Sequence, residues 1–396
     1  MAANRGIGKV NIDPLFNAQA LYCFYYMALG AYMPFINLYY ERLGLSGVQI
    51  GTLSALPVLI TATITFLWAA LADAFQLHRV ILRTSFLFAA VVVYWLSQAK
   101  HFLALIPWVF AYAIVTSPIS PLLDSNALEV AKERQHSYGG LRVWGSVGWA
   151  VSTWLVGLLI EARGTRWFFY SYIVLITVAF LFSLFQPARK LVQRSSVFHG
   201  LRELFRVEFV LFLISVFLLT TASGGVNSFF SLYLNRIGAA EGQIGFSWAL
   251  AAVSELPVMV FSAVMLRRIG AEGLLVMAFL VFILRWLLYS VIDVPLWALL
   301  VQLLHGLSFA AFLVGGVTFV SERTPPGLSA TAQAIYSTAT FGLASITGSL
   351  IGGYLYDNVG MQNFFRIFSL LGLAGLAIFL MAGKHKLIFV GVGEKQ

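Results

Sequence analysis

Between Asn17 and Met381 the chain returns again and again to long apolar runs. A run of about 18 residues or more with few charges can cross a ~30 Å hydrocarbon layer as a helix. Inside a bilayer every backbone polar group must be satisfied within the protein, which leaves helices or a closed barrel, and runs of this length read as helices. Hydrophobic residues make up 60% of the chain and charged residues 10%, whereas soluble domains carry roughly 25% charged residues. The expected fold class is therefore an all-α membrane protein. The 396 residues accommodate twelve transmembrane helices with short connections and leave little chain for a soluble catalytic domain. The first span is expected at 16–40 and the last at 363–383, with 102–130, 242–266, 271–292, 295–321 and 328–355 among those between. The longest polar interval, Pro187 to Arg206, divides them six and six. Residues 1–186 then form an N-terminal six-helix bundle and 208–396 a C-terminal one. The linker, 187–207, is expected to carry an amphipathic helix at the membrane surface, with Leu201, Leu204 and Phe205 among its charges.

The 25 basic residues are distributed unequally over that alternation. Seventeen fall in the even-numbered loops and the termini, six in the odd-numbered loops, and Arg142 and Arg285 inside spans. Such an excess marks the cytoplasmic side. Both termini are thus expected in the cytoplasm, with the protein in the cell (inner) membrane. The net charge of +9 is a topology signal, and its scatter over many short loops argues against a nucleic-acid surface. A single cysteine, Cys23, excludes a disulfide framework and a thiolate metal site. No motif calls for a cofactor. The first apolar run is too long for a signal-peptide core and is expected to remain as a span.

The chain repeats internally. Residues 30–51, GAYMPFINLYYERLGLSGVQIG, align without a gap on 224–245, GGVNSFFSLYLNRIGAAEGQIG, at an offset of 194. Nine of 22 positions are identical: Gly30, Phe35, Leu38, Tyr39, Arg42, Gly44, Gln49, Ile50 and Gly51. Six spans separate the copies, so both start from the same side of the membrane. Parallel repeats of this kind hold a solute between the halves near the midplane. The two segments are expected to superpose without a register shift.

Four ionisable residues, with a histidine beside them, lie deep in apolar surroundings. Asp124 and Arg142 are equidistant from the polar turn at Glu133, and Arg285 and His305 from Pro295. Nine or ten helical residues at ~1.5 Å each place both pairs ~14–15 Å from their turns, close to the midplane of a ~30 Å core. Glu255 also sits mid-span. Charge at that depth is costly and usually marks a substrate or ion pathway.

The loop Ala69-Ala70-Leu71-Ala72-Asp73-Ala74-Phe75-Gln76-Leu77-His78-Arg79 resembles the loop signature of the major facilitator superfamily. Asp73 and Arg79 match it, while Ala69 and Gln76 replace its usual glycines and His78 a usual arginine. The resemblance implies a cytoplasmic gate latched by Asp73 and Arg79. The stretch DSNALEVAKERQHSYGGLRVWGSVGW, Asp124 to Trp149, resembles the lactose-permease-like oligosaccharide/proton symporters of that superfamily, and more closely their phenylpropionate permease branch. That resemblance covers nearly the whole chain. It implies that Asp124 and Arg142 hold the substrate, and that Glu255, Arg285 and His305 continue the site in the second half. Ser308 stands where the family carries a proton-carrying glutamate, and Gln302 and Phe341 replace two intramembrane lysines. Only Asp124 and Glu255 then remain as proton-coupling carboxylates at the midplane. Arg142 is expected to lie directly across from Asp124, and Arg285 or His305 to partner Glu255.

Trp149, Tyr25, Tyr26 and Tyr32 are candidates for stacking on a ring, and Asn227 is a further substrate-binding candidate. Arginines offer bidentate donors to carboxylates or hydroxyls. Two arginines with an aromatic pocket suit a small aromatic carboxylate, and the same arginines with Asp124 and Glu255 suit a sugar or nucleoside. An intramembrane hydrolase is disfavoured: His305 and Ser308 share one helix face, but no Gly-x-Ser-x-Gly elbow accompanies them. The expected function is secondary active transport of a small organic solute, coupled to protons, by a monomer in the lipid bilayer. A sugar or nucleoside proton symporter, or a non-coupled uniporter, is the alternative.

Overall fold

Backbone hydrogen bonding in an apolar setting leaves this chain almost wholly helical. A computed structural model describes residues 12–186, 207–325 and 328–384. The amphipathic helix expected in the linker lies outside the described residues. The helices are α1 (Pro14–Arg42), α2 (Gly47–Phe75), α3 (His78–Gln98), α4 (Phe102–Thr116), α5 (Ile119–Glu133), α6 (Tyr138–Arg163) and α7 (Trp167–Ser183). Then follow α8 (Val207–Arg236), α9 (Glu241–Tyr289), α10 (Pro295–Gln302), α11 (Ala311–Arg323), α12 (Ser329–Ser337), α13 (Ala344–Asn358) and α14 (Gly360–Lys384). Two π-helical segments, Gly306–Ala310 and Thr338–Leu343, lie between α10 and α11 and between α12 and α13. Among the described residues nine helical stretches are long and apolar enough to cross a membrane, with α4–α5, α10–α11 and α12–α13 each counted as one. Phe66, Leu103 and Val260 are about three-quarters exposed (75%, 77% and 74%), as side chains facing lipid should be.

Several expected spans are interrupted, each for a local reason. The 102–130 span breaks at Ser117-Pro118, where Pro118 lacks the N–H that would continue the ladder. The 295–321 span opens at Gly306, whose N–H is donated to Ser254 Oγ of α9 at 2.9 Å. A hydroxyl inserted into the backbone ladder is a recognised cause of such distortion. The spans expected at 242–266 and 271–292 are joined in α9, which covers 49 residues. The chain turns inside it at Gly270, with φ +69° and ψ 177°.

The repeat keeps its register throughout the turn. α1 ends at Arg42 and α8 at Arg236, and α2 starts at Gly47 and α9 at Glu241. Gly44 (φ +80°) and Gly238 (φ +90°) supply the left-handed residue that closes each turn. Gln49 Oε1 accepts from the Ser46 N–H and Gln243 Oε1 from the Ala240 N–H, both at 3.0 Å, capping the helix that follows. α2 packs along α13 and α6 along α9, and these two seams join the N-terminal and C-terminal parts of the chain.

Candidate functional site

The seams are close because side chains are missing where they cross. A Cβ on Gly51 would overlap the Ser349 carbonyl oxygen, and one on Gly245 the Thr153 carbonyl oxygen. At the α1–α2 and α8–α9 turns the two parts are also locked by reciprocal charges. Arg42 pairs with Glu241, and its repeat equivalent Arg236 lies 3.8 Å from Glu41. Glu41 also accepts from the Tyr356 hydroxyl. The Asp357 carboxylate accepts from the Gly47 and Val48 N–H groups at 2.6 and 3.0 Å, capping α2 from the opposite part. Glu161 does the same for α9, accepting from the Gly242 N–H at 3.2 Å. Carboxylates at helix N-termini satisfy orphan donors and oppose the helix dipole. Hydrogen bonds between the two parts cluster at this end of the molecule.

Toward the middle, the ionisable residues are satisfied separately in each part. Asp124, on α5, accepts from the Tyr22 hydroxyl and from the Tyr138 hydroxyl at 2.9 Å. Arg142 donates to the same Tyr138 hydroxyl at 3.1 Å. The expected direct pairing of Asp124 with Arg142 is thus replaced by a relay, because the phenol of α6, one turn before Arg142, fills the space between them. In the second part Glu255 Oε1 lies 3.3 Å from His305 Nε2. His305 stacks on Phe309 at 5.4 Å between ring centroids, and its Nδ1 is buried without a partner among the described residues.

Arg285 takes neither carboxylate. Only 5% exposed, it donates to Ser308 Oγ at 2.7 Å, Gln302 Oε1 at 2.5 Å and the Tyr289 hydroxyl at 3.4 Å. Ser308 and Gln302, which stand in place of family ionisable residues, are therefore the acceptors of a guanidinium. Its Nε has no partner among the described residues. Of Glu255's two expected partners the structure supplies His305.

Between the charged clusters and the locked end lies a cavity of about 360 Å³. Its aromatic wall includes Tyr32, Tyr40, Tyr112, Trp149 and Trp248, and its polar groups include Asn37, Ser54, Asn227 and Ser228. Trp149 and Asn227 are thus brought together, one from each part of the chain. Asp124, Arg142, Glu255, Arg285 and His305 lie outside this lining. Trp149 and Arg142 share α6 seven residues apart, ~10 Å along its axis. Tyr32 lines the cavity, while Tyr25 is bonded to Ser120 at 3.1 Å and Tyr26 stacks on Tyr22. The sequence offered one clue to Tyr138 as a partner, its i, i+4 spacing to Arg142 on one helix face.

In the α2–α3 loop the two gate candidates have separate partners. Asp73 Oδ1 meets His78 Nε2 at 2.9 Å, and Arg79 turns away to donate to the Gln186 carbonyl at 3.0 Å. Arg83 donates to the Ser183 and Leu184 carbonyls at 3.1 and 2.9 Å. The orphan carbonyls after α7 draw both arginines, so His78, not Arg79, is the partner of Asp73.

Comparisons with known proteins agree with this architecture. Maltose permease of Geobacillus stearothermophilus is 29% identical over 385 residues, covering 96% of this chain and 95% of its own. The probable 3-phenylpropionic acid transporter of Escherichia coli (strain K12) is 24% identical, covering 90% and 94%. The crystal structure of the nucleoside transporter NupG superposes with a TM-score of 0.86 at 17% identity, over 94% of this chain and all of that one. A model of the MFS_1 like family matches residues 15–367. These matches agree with the helical fold and the phenylpropionate-branch resemblance, and the chain belongs to the MFS_1 like family of major facilitator transporters.

Proposed function

We propose that the protein is a proton-coupled secondary transporter of a small aromatic carboxylate. Its twelve membrane helices form two six-helix bundles, 1–186 and 208–396, joined by 187–207, and it works as a monomer by alternating access. With both termini in the cytoplasm, the locked end is extracytoplasmic and the described state faces the cytoplasm. The ring lies against Trp149 in the cavity, and the carboxylate reaches the guanidinium of Arg142. The observation that carries this reading is the contrast between the two arginines. Arg285 is buried and held by three neutral acceptors, whereas among the described residues Arg142 makes one hydrogen bond and is exposed.

Charge balance supports the coupling. With His305 neutral, the two carboxylates and two arginines cancel, so an added anion needs one proton to keep the membrane interior neutral. Glu255 is the proton carrier, because its partner is a histidine on another element and not a fixed cation. The second reading, a sugar or nucleoside, rests on the cavity, whose lining contains no acidic or basic side chain. Proteoliposomes under an imposed pH gradient separate the two. Accumulation of radiolabelled 3-phenylpropionate without a transport current is the expected result. Accumulation of maltose or uridine with an inward current supports the second reading. Downhill flux alone makes the protein a uniporter.

A further inference from the structure

The repeat equivalent of Asn37 is Ser231, and that of Ser54 is Trp248, each 194 residues on. Both pairs are hydrogen-bonded. Ser54 Oγ donates to Asn37 Oδ1 at 3.1 Å, and Trp248 Nε1 donates to Ser231 Oγ at 3.0 Å. The symmetry ends there. The Ser231 hydroxyl is buried within its own part of the chain. The longer carboxamide of Asn37 reaches across to the other part and donates to the Ser228 carbonyl at 2.8 Å. Asn37 also lines the cavity and is half-buried.

An asparagine amide carries two N–H donors and an acceptor oxygen. Asn37 uses one N–H on Ser228 and its oxygen on Ser54, and its second N–H has no protein partner among the described residues. Asn227, next to Ser228, lines the same cavity from the opposite part. Two carboxamides set in an aromatic wall match a solute that carries a hydrogen-bonding group on its ring. The Ser228 carbonyl also accepts within its helix, so losing the Asn37 bond leaves it satisfied. This bond is therefore the cross-contact that a ligand can replace at least cost.

We propose that Asn37 is a specificity-determining residue of the cavity: it reads a hydroxyl or amide-type group on the ring of the substrate and, in doing so, gives up the Ser228 carbonyl that ties the two parts together. The proposal rests on the cavity being the substrate site. Occupancy then loosens the locked end, which links binding to the conformational change. A hydrogen bond of this kind is worth up to about tenfold in an equilibrium.

Two measurements test it. The first needs no substrate. In a Cys23→Ser background with Val58→Cys as reporter in the cavity wall, a membrane-impermeant maleimide is applied from the extracytoplasmic side. Asn37→Leu should raise the labelling rate about tenfold, and Asn37→Ser should do the same where the leucine variant fails to insert. An unchanged rate in an inserted variant overturns the latch. The second compares 3-phenylpropionate with 3-(4-hydroxyphenyl)propionate by thermal shift on purified protein. The wild type should bind the hydroxylated acid about tenfold more tightly, and Asn37→Leu should remove that preference. A preference that survives the substitution, or is absent from the wild type, overturns the specificity role. If neither acid binds while uridine or maltose does, the carboxylate reading fails, and the labelling experiment still decides on Asn37.

Discussion

Among the described residues Arg142 makes a single hydrogen bond, to Tyr138, so most of its guanidinium donors remain for a ligand. A lysine there keeps the charge and loses the planar fork. Arg142→Lys is expected to cut uptake in proteoliposomes about tenfold or more, since hydrogen bonds to charged groups are worth ~1.5–3 kcal/mol, while yield and melting temperature stay near wild type. Wild-type uptake would reduce Arg142 to a packing residue. Tyr138→Phe removes the hydroxyl shared by Asp124 and Arg142. It should raise KM several-fold with little change in maximal rate, because it unfixes Arg142 without deleting it. An unaltered KM would leave the relay without a role in binding. That Asp124 and Arg142 sit close together, and that Glu255 meets His305, was legible in the sequence. The phenol that links Asp124 and Arg142 was not. Tyr138 is one of 16 tyrosines, and nothing in the local pattern says which of them crosses to Asp124. Asn37 was hidden for the same reason, since its bond to Ser228 spans 191 residues.

The seams that lock one end place two carboxylates at helix N-termini of the opposite part. Such charge–dipole contacts are worth roughly 0.3–1 kcal/mol each. Asp357→Asn and Glu161→Gln should each shift the equilibrium toward opening of that end, and the double variant should shift it further, roughly by the sum. Spin labels across the α2–α13 and α6–α9 seams would report it as a larger population at long distance. Unchanged distance distributions in the double variant would show that the glycine contacts alone hold the seams. At this scale the sequence was most informative. Arg42, Gly44, Gln49 and Gly51 are repeat identities, and each has a physical duty in both copies: a cross-pair, a left-handed turn, a cap and a close approach. The distortion at Gly306 was not legible, because its cause, Ser254, lies on another helix. A Cβ at Gly306 would also overlap the Ser254 carbonyl oxygen. Gly306→Ala should therefore lower stability by ~1–3 kcal/mol, the usual cost of overpacking, seen as a reduced melting temperature in detergent. An unshifted melting temperature would mean that the α9 contact relaxes freely.

Over the whole molecule, the two carboxylates stand in different electrical settings. Asp124 is held by two tyrosine hydroxyls, one of which is bonded to Arg142, all within the N-terminal part. Glu255 meets His305, and the buried cation of the same part, Arg285, is occupied by Ser308, Gln302 and Tyr289. In the proposed mechanism Glu255, which faces a histidine and no fixed cation, is the group that carries the proton. Removing that ability should uncouple transport without abolishing it. Glu255→Gln keeps the shape and a hydrogen bond to His305, and is permanently neutral. It is expected to lose pH-gradient-driven accumulation of substrate entirely and to retain exchange of labelled for unlabelled substrate. Asp124→Asn should instead weaken binding, because it replaces the charged acceptor that orders Tyr138 and, through it, Arg142 with a neutral amide oxygen. The two phenotypes are separable by measuring accumulation and exchange in the same proteoliposomes. If Glu255→Gln still concentrates substrate against its gradient, the proton travels through Asp124. If the wild type itself never concentrates substrate under a pH gradient, the protein is a uniporter, and the Glu255–His305 pair serves packing alone.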